Sequence, residues 1–328
     1  MRASRGFALA VGAAVVLSTT AIFIRHLTET YQLPVLVLAF WRSIFVVATL
    51  AVALGVFRPG LLTVGRSHLR YLALYGLVLA VFNGLWTLSV ALNGAAVSTL
   101  LVYSSAAFTA VLGRWLLRER LDRATAIAIL CSLGGCALVS GAWDAAAWRG
   151  NLQGVTIGVL SGLSYAVYTL MGRSAARRGL DPWTTLLYVF AFGAGFLLLG
   201  NLWPGALTGD ADAFADLLWL GESVAGWGVL FALAAGPTLL GFGLYNMSLR
   251  HLRSSFANLI LTLEPVFTAV TAYYVLNERL TWIQVAGGAL ILAGVVFVKV
   301  RYNRSAVEST LRARATGSRI GAERVFGH

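Results

Sequence analysis

The sequence predicts an all-α integral membrane protein in which ten transmembrane helices form two inverted five-helix repeats. Three observations predict this fold. The chain is unusually apolar, its apolar runs have the length of membrane spans, and one motif recurs at a fixed spacing. In turn, they indicate that the chain lies in lipid, that it crosses the membrane as helices, and that these helices form two repeats.

The composition indicates a chain that lies in lipid. Hydrophobic residues make up 59% of the 328 residues and charged residues 12%, against about 45–50% and about 25% in soluble domains. A helix needs roughly 20 apolar residues to cross a bilayer. Ten runs are close to that length or longer, five in each half of the chain: 6–24, 34–56, 71–92, 95–113, 124–143, 153–172, 183–203, 224–248, 255–277 and 281–300.

A recurring motif shows that the chain is an internal duplication. Phe108-Thr109-Ala110-Val111 is repeated at 267–270, and Glu-Arg-Leu follows each copy at the same distance, at 119–121 and 278–280. An offset of 159 residues relates these regions, and an offset of 148 residues relates the earlier spans. Because each half holds five spans, the second half enters the membrane from the opposite side. Inverted repeats of this kind are typical of secondary transporters.

The basic residues orient the chain. With a cytoplasmic N-terminus, 21 of the 25 Lys and Arg residues lie on the cytoplasmic side, as the positive-inside rule requires. We therefore expect both termini in the cytoplasm and the protein in a bacterial inner (cell) membrane. The first repeat is expected at 1–143, the second at 153–300 and a disordered basic tail at 301–328. This tail would rest on anionic lipid or serve only as a solubilising extension.

Charge and cysteine content exclude other classes of site. The net charge of +12 does not indicate nucleic-acid binding, because the arginines are dispersed over short loops. Cys131 and Cys136 lie five positions apart and point to different faces of one apolar helix, which predicts neither a disulfide nor a metal site. No cofactor is expected. The expected partners are a small-molecule substrate, protons as the coupling ion and the lipid bilayer, while the oligomeric state is left open.

Two charged residues fall well inside predicted spans. Glu264 lies about 15 Å from the cytoplasmic end of the ninth span and Arg42 roughly 12 Å from the outer end of the second, at 1.5 Å per residue. With a hydrocarbon core of about 30 Å, both lie near the midplane and could share one cavity. A charge at this depth is costly and indicates a functional site with a partner nearby. The alternative is that Arg42 and Glu264 only neutralise each other and join two helices.

The repeat favours a function for both charges. Glu264 aligns with Ser105 in the first half, and Arg42 aligns with Phe190 in the second half. The same scaffold is therefore expected to form without a charge at either position.

One further glutamate position is occupied in both halves, as expected of a residue that the architecture requires. Glu119 and Glu278 lie just ahead of the fifth and tenth spans. Asp122 and Thr281 are the predicted N-caps of those spans. We expect the two glutamates to lie near the same helix ends, where negative charge is favoured by the helix dipole.

Glycines and one proline suggest packing and bending. Gly135 and Gly294, with neighbouring glycines, are expected to allow close approach of helices in lipid. Gly236 and Pro237 lie in the middle of the eighth span, where a proline frees backbone groups and bends a helix. We interpret the pair as a hinge or a break facing the substrate, with a harmless kink as the alternative.

Aromatic residues within or near the spans could form the wall of a central cavity, although such residues more often face lipid or core. Trp41 and Tyr165 belong to this group. With Glu264 for a proton or an ammonium group and Arg42 for a carboxylate, the cavity would suit a compact amphipathic metabolite. The predicted substrate- and proton-binding residues are Glu264, Arg42, Trp86, Tyr103, Phe108, Tyr168, Tyr245 and Ser105.

Motifs in both halves are similar to those of a known family. An arginine follows a proline in the second span, at Pro34 and Arg42, and a Pro-x-Phe stretch at 265–267 leads to Leu-Asn-Glu-Arg-Leu at 276–280. From about residue 6 to 300, the chain resembles the EamA-like branch of the drug/metabolite transporter superfamily. Ala106 stands where the first copy often has proline, which leaves the bend of the fourth span in question.

The resemblance implies secondary transport by alternating access, commonly export of amino acids, related metabolites or toxic organic compounds in exchange for protons. We predict a proton-coupled exporter of a small amphipathic metabolite, in which deprotonated Glu264 favours substrate binding and protonation from the outer side releases the substrate. An uncoupled facilitator or exchanger, with Glu264 structural, is the alternative. An intramembrane enzyme is more remote, because all four histidines lie at helix ends or in loops and no embedded Ser/His pair or twin aspartates are present.

Overall fold

The computed structural model describes residues 2–119, 121–139, 152–202, 217–275, 281–298 and 300–301, and these residues form helices joined by turns, with no strand. In chain order the helices are α1 Arg2–Leu17, α2 Thr20–Thr30, α3 Val35–Phe57, α4 Arg66–Tyr103, α5 Ser105–Leu116, α6 Arg123–Val139, α7 Leu152–Arg177, α8 Pro182–Asn201, α9 Val224–Leu233, α10 Leu239–Leu249, α11 Ser254–Leu261, α12 Glu264–Val275 and α13 Trp282–Val298. A π-helical turn, Ala234–Thr238, joins α9 to α10. Glu278 and the tail from residue 302 lie outside the described residues.

Several of these helices have the length and composition of membrane spans. Six helical segments are long and apolar enough to cross a bilayer: Ser4–Thr30, Val35–Phe57, Arg66–Ser89, Leu152–Arg177, Pro182–Asn201 and Val224–Leu249. Helices α6 and α13 are shorter and also apolar. The chain is therefore an integral membrane protein, and the predicted all-α class is confirmed.

Helix α4 differs in its bounds from the prediction, which separates spans at 71–92 and 95–113. Helical backbone continues from Arg66 to Tyr103, which in one straight helix would measure about 57 Å. However, the hydroxyls of Ser89 and Ser98 are 2.9 Å apart, although nine residues of straight helix span about 13 Å. The chain therefore turns back between these serines, so α4 consists of two arms.

The main helix contacts join the two halves of the chain. Helix α1 packs on α10, and α4 packs on α7. The repeat offsets relate α1 to α7, and they relate the first arm of α4 to α10. The contact of α1 with α10 therefore corresponds to the contact of α7 with α4, with the two halves exchanged. Helix α3 also packs on its counterpart α8. Neither half therefore forms its main packing surfaces alone.

The two predicted N-caps are confirmed. The Asp122 carboxylate accepts a hydrogen bond of 2.8 Å from the Thr125 N–H at the start of α6. Thr281 and Gln284 form a reciprocal capping box at the start of α13, since each side chain accepts from the backbone N–H of the other. Partial burial acts to raise the pKa of Asp122, but the hydrogen bonds from Thr125 and nearby arginines hold this pKa below its ordinary value.

The Glu119 carboxylate binds the N-terminus of α11 in the other half, a contact that the interpretation of Glu119 as a charge near the α6 N-terminus does not include. It accepts from the Ser254 N–H at 3.1 Å, from the Ser254 hydroxyl at 2.7 Å and from the Ser255 hydroxyl at 3.1 Å. Arg173 Nε lies 3.8 Å from the same carboxylate, which is only 2% exposed. Arg118, with φ of 52°, has a left-handed backbone conformation just before Glu119.

Close backbone approach between α6 and α13 confirms the packing role of two glycines. A methyl group at Gly135 would lie 2.6 Å from the Gly287 carbonyl oxygen and 2.6 Å from the Ile291 side chain. A methyl group at Gly294 would lie 3.0 Å from the Ala128 carbonyl oxygen. Only glycine fits such contacts without displacing the partner backbone.

Candidate functional site

Two helix breaks at equivalent positions define the candidate site. Helix α11 ends before a short turn, and α12 begins at Glu264. Helix α4 ends at Tyr103, and α5 begins at Ser105. The offset of 159 residues relates Ser105 to Glu264, so the same helix is interrupted at the same place in both halves. Discontinuous helices of this kind form the substrate and ion sites of many secondary transporters.

The fourth span bends although Ala106 occupies the position of the family's proline, which answers the question raised by the sequence. At the first break the Ser104 hydroxyl donates to the Leu101 carbonyl oxygen at 2.6 Å. At the second break the Thr262 hydroxyl donates to the Leu259 carbonyl oxygen at 2.6 Å. Local bonds of this type compete with regular helical bonding, so a hydroxyl side chain supports each break.

Glu264 is the first residue of α12, where a negative charge interacts favourably with the helix dipole. Its side chain is partly buried, and the Tyr103 hydroxyl lies close enough to interact with the carboxylate. Tyr103 is 3% exposed and is the last residue before the other break. Tyr165 and Cys136 lie within electrostatic range of the carboxylate. The two breaks therefore meet at Tyr103 and Glu264.

Stacked tyrosines extend from this carboxylate into the protein. The rings of Tyr165 and Tyr168 are 6.0 Å apart and nearly parallel, and Tyr165 also stacks on Tyr245 at 6.3 Å. Tyr75 packs against Tyr168 at 4.8 Å. All four side chains are buried. Two of the predicted binding residues, Tyr168 and Tyr245, thus belong to one aromatic layer between α7 and α10.

A buried amide connects the layer to the first break. Asn258 on α11 donates to the Thr109 hydroxyl at 2.9 Å and accepts from the Ser105 hydroxyl at 3.3 Å. Its Nδ2 also lies 3.4 Å from the Thr169 hydroxyl, which is 2.9 Å from the Tyr245 hydroxyl. These groups form a continuous polar path through an apolar core, in which each hydrogen bond polarises its neighbour.

Asn246 provides a second buried amide beside the layer. It donates to the Tyr168 hydroxyl at 3.1 Å, and the Tyr75 hydroxyl donates to its Oδ1 at 3.4 Å. Sequence reasoning missed Asn246 and Asn258 because it searched the spans for charges. Uncharged amides inside apolar runs were the available signal, since a buried amide requires partners.

Arg42 has a separate set of neighbours. Its Nη2 donates to Asn83 Oδ1 at 2.9 Å, between α3 and α4. Among the described residues no ion pair joins Arg42 to Glu264. The interpretation of the two charges as a neutralising pair therefore has no support, because Arg42 is bonded to the uncharged Asn83 and Glu264 lies beside the uncharged Tyr103.

The remaining predicted residues, those of the binding site and of the hinge, lie on several different elements. Trp86 is half-buried between two apolar cores, and Phe108 is half-buried on α5. Gly236 and Pro237 lie in the π-helical turn, where the Leu239 N–H donates to a carbonyl five residues earlier. The proline thus widens the helix and does not end it. The binding roles of Trp86 and Phe108 and the hinge stay predictions.

A comparison with known families decides the identity of this fold and site. The model of the EamA-like transporter family matches residues 4–141 and again 152–300. The chain belongs to the EamA-like transporter family. The two matches cover most of the EamA-like chain and include both helix breaks, both buried amides and both intramembrane charges.

Similar proteins agree with this assignment. An uncharacterized transporter of Archaeoglobus fulgidus is 26% identical to this chain over 293 residues. The match covers 89% of this chain and 95% of the relative. A probable amino-acid metabolite efflux pump of Salmonella typhimurium is 25% identical, over 61% of this chain and 66% of the relative. A crystal structure at 16% identity shares the fold, with a TM-score of 0.75 over 92% of this chain and 98% of its own. These similarities point to a transporter rather than an enzyme.

Proposed function

We propose that this protein exports a small amphipathic metabolite, an amino acid or related compound, by proton-coupled alternating access. In this proposal ten spans form two inverted repeats with both termini in the cytoplasm. The exchanged contacts of α1 with α10 and of α4 with α7 support that arrangement, as does the repeated break before Ser105 and Glu264. The Salmonella typhimurium relative, a probable amino-acid metabolite efflux pump, supports amino-acid derivatives as the cargo.

The observation that carries the proposal is the placement of Tyr103 beside Glu264, where the two breaks meet. A charged Glu264 in this position would attract the Tyr103 hydroxyl as a hydrogen-bond donor and so join the two breaks. A protonated carboxyl becomes a donor as well as an acceptor, which removes the charge assistance from this bond. Loading and unloading a proton therefore changes how strongly the two halves are connected at the site. Deprotonated Glu264 would favour the substrate-bound form, and protonation from the outer side would favour release.

Efflux measurements test this coupling. Cells that express the wild type are expected to lose one member of a panel of amino acids and amphipathic amines, and a protonophore should abolish this loss. Glu264→Gln cannot release a proton, so we expect at least a tenfold lower export rate and no pH dependence. Glu222→Gln changes an exposed glutamate and serves as the matched control.

Two outcomes would contradict the coupling. Export by Glu264→Gln at the wild-type rate with the same pH dependence would reduce Glu264 to a structural role. Insensitivity of wild-type export to the protonophore would favour an uncoupled facilitator. A second variant, Tyr103→Phe, keeps the ring and removes the hydroxyl. We expect it to shift the pH dependence of export, whereas a purely structural bond would leave that dependence unchanged.

A further inference from the structure

A buried group of hydrogen-bond donors lies between α3 and α4. Arg42 is 5% exposed and Asn83 2% exposed. Asn83 Oδ1 accepts from Arg42, but Arg42 Nε and Asn83 Nδ2 are buried and have no acceptor in the described part of the chain. Burying a guanidinium without an anion is costly. The donors therefore lack a negatively charged acceptor.

The other half of the protein shows that the scaffold does not need these polar groups. The offset of 148 residues relates Arg42 to Phe190, and the offset of 159 residues relates Asn83 to Phe242. Phe190 and Phe242 pack edge to face, with ring centroids 5.6 Å apart and planes at 83°. The same position thus holds a polar contact in one half and an apolar contact in the other. If folding required a polar contact at this position, both halves would have one.

We propose that Arg42 and Asn83 bind the carboxylate of the transported metabolite. This inference rests on the proposed function and deepens it, because it restricts the substrate to amphipathic carboxylates such as free amino acids. Arg42 Nε and Asn83 Nδ2 supply two donors for the two oxygens of a carboxylate, and the guanidinium supplies its charge. Because Arg42 is buried, the substrate reaches it only after rearrangement of the surrounding helices, as alternating access provides.

The test is ligand-dependent thermal stability of the purified protein in detergent. The probes are L-leucine, L-methionine and L-phenylalanine, each compared with its own amide, and inorganic phosphate. A ligand that binds only the folded state raises the unfolding temperature. We expect at least one amino acid to stabilise the wild type, and its amide and phosphate to have at least tenfold weaker effects.

The decisive variant copies the other half of the protein, as Arg42→Phe with Asn83→Phe. Replacing a buried charge by apolar residues is often neutral or stabilising, so we expect this variant to unfold at or above the wild-type temperature without ligand. Stabilisation by the amino acid should be lost. Arg42→Met alone provides a second variant, and Phe190→Leu at the equivalent position should bind as the wild type does.

Three outcomes of the ligand measurements would overturn the assignment: equal stabilisation by acid and amide, equal stabilisation by phosphate, or no stabilisation of the wild type by any acid. A fourth would be that the unliganded Arg42→Phe/Asn83→Phe and Arg42→Met proteins both unfold well below the wild-type temperature. The last outcome would give these residues a structural role. The measurement needs no proton gradient. Its failure is therefore distinguishable from a failure of coupling through Glu264.

Discussion

Glu119→Ala is expected to lower the free energy of unfolding by about 3 kcal/mol or more, because it removes one partner of a buried charged contact. The Glu119 carboxylate accepts three hydrogen bonds from Ser254 and Ser255. Its loss leaves the N-terminus of α11 without this acceptor and leaves Arg173 without its nearby carboxylate. Thermal unfolding of the purified protein in detergent should show a decrease of roughly 5 °C or more in Tm.

Two further variants make this expectation specific. Glu119→Gln keeps one acceptor oxygen and loses the charge, so its Tm should fall between those of Glu119→Ala and the wild type. Glu222→Ala removes an exposed glutamate and should change the stability by less than about 0.5 kcal/mol. If Glu119→Ala unfolded at the same temperature as Glu222→Ala, the contact with α11 would be irrelevant to stability.

Gly135→Ala is expected to destabilise the protein by about 1–3 kcal/mol, the usual cost of overpacking. The new methyl group would lie 2.6 Å from the Gly287 carbonyl oxygen and 3.0 Å from the Ile291 backbone nitrogen. Both atoms belong to the backbone of α13, so side-chain rotation cannot relieve the contact. The two helices would have to separate, which should appear as a lower Tm in detergent.

The preceding residue provides a matched control on the same helix. A methyl group at Gly134 would lie 3.7 Å from the Leu290 side chain, which is an ordinary contact. Alanine is also better than glycine in a helix by about 1 kcal/mol, so Gly134→Ala should leave the Tm unchanged or raise it. Equal losses of stability at both positions would show that glycine flexibility, and not close approach, is what α6 requires.

The helices and the family could be predicted from the sequence because lipid imposes a simple rule. Every backbone polar group in a span must be bonded within its own helix, so long apolar runs predict helices directly. Helix caps are equally local, which is why Asp122 and Thr281 were predicted with their roles. The bend near Ala106 could not be predicted from the absence of proline, since a serine hydroxyl supports it.

Long-range polar partners could not be predicted from the sequence. Glu119 binds Ser254, which lies 135 residues away, and no local pattern relates the two. Asn258 and Asn246 were missed because an amide carries no charge that marks it inside an apolar run. Tyr103 and Glu264 were each predicted as site residues, but their proximity depends on how the two breaks meet.

The contact between Glu119 and α11 has a consequence for biosynthesis. The ribosome produces the acceptor before the helix that uses it, because Glu119 precedes Ser254 in the chain and N-terminal parts generally fold first. When α11 leaves the translation machinery, the residue that caps it has already been synthesised. In a circular permutant with the order of the halves reversed, α11 would be synthesised before its capping residue.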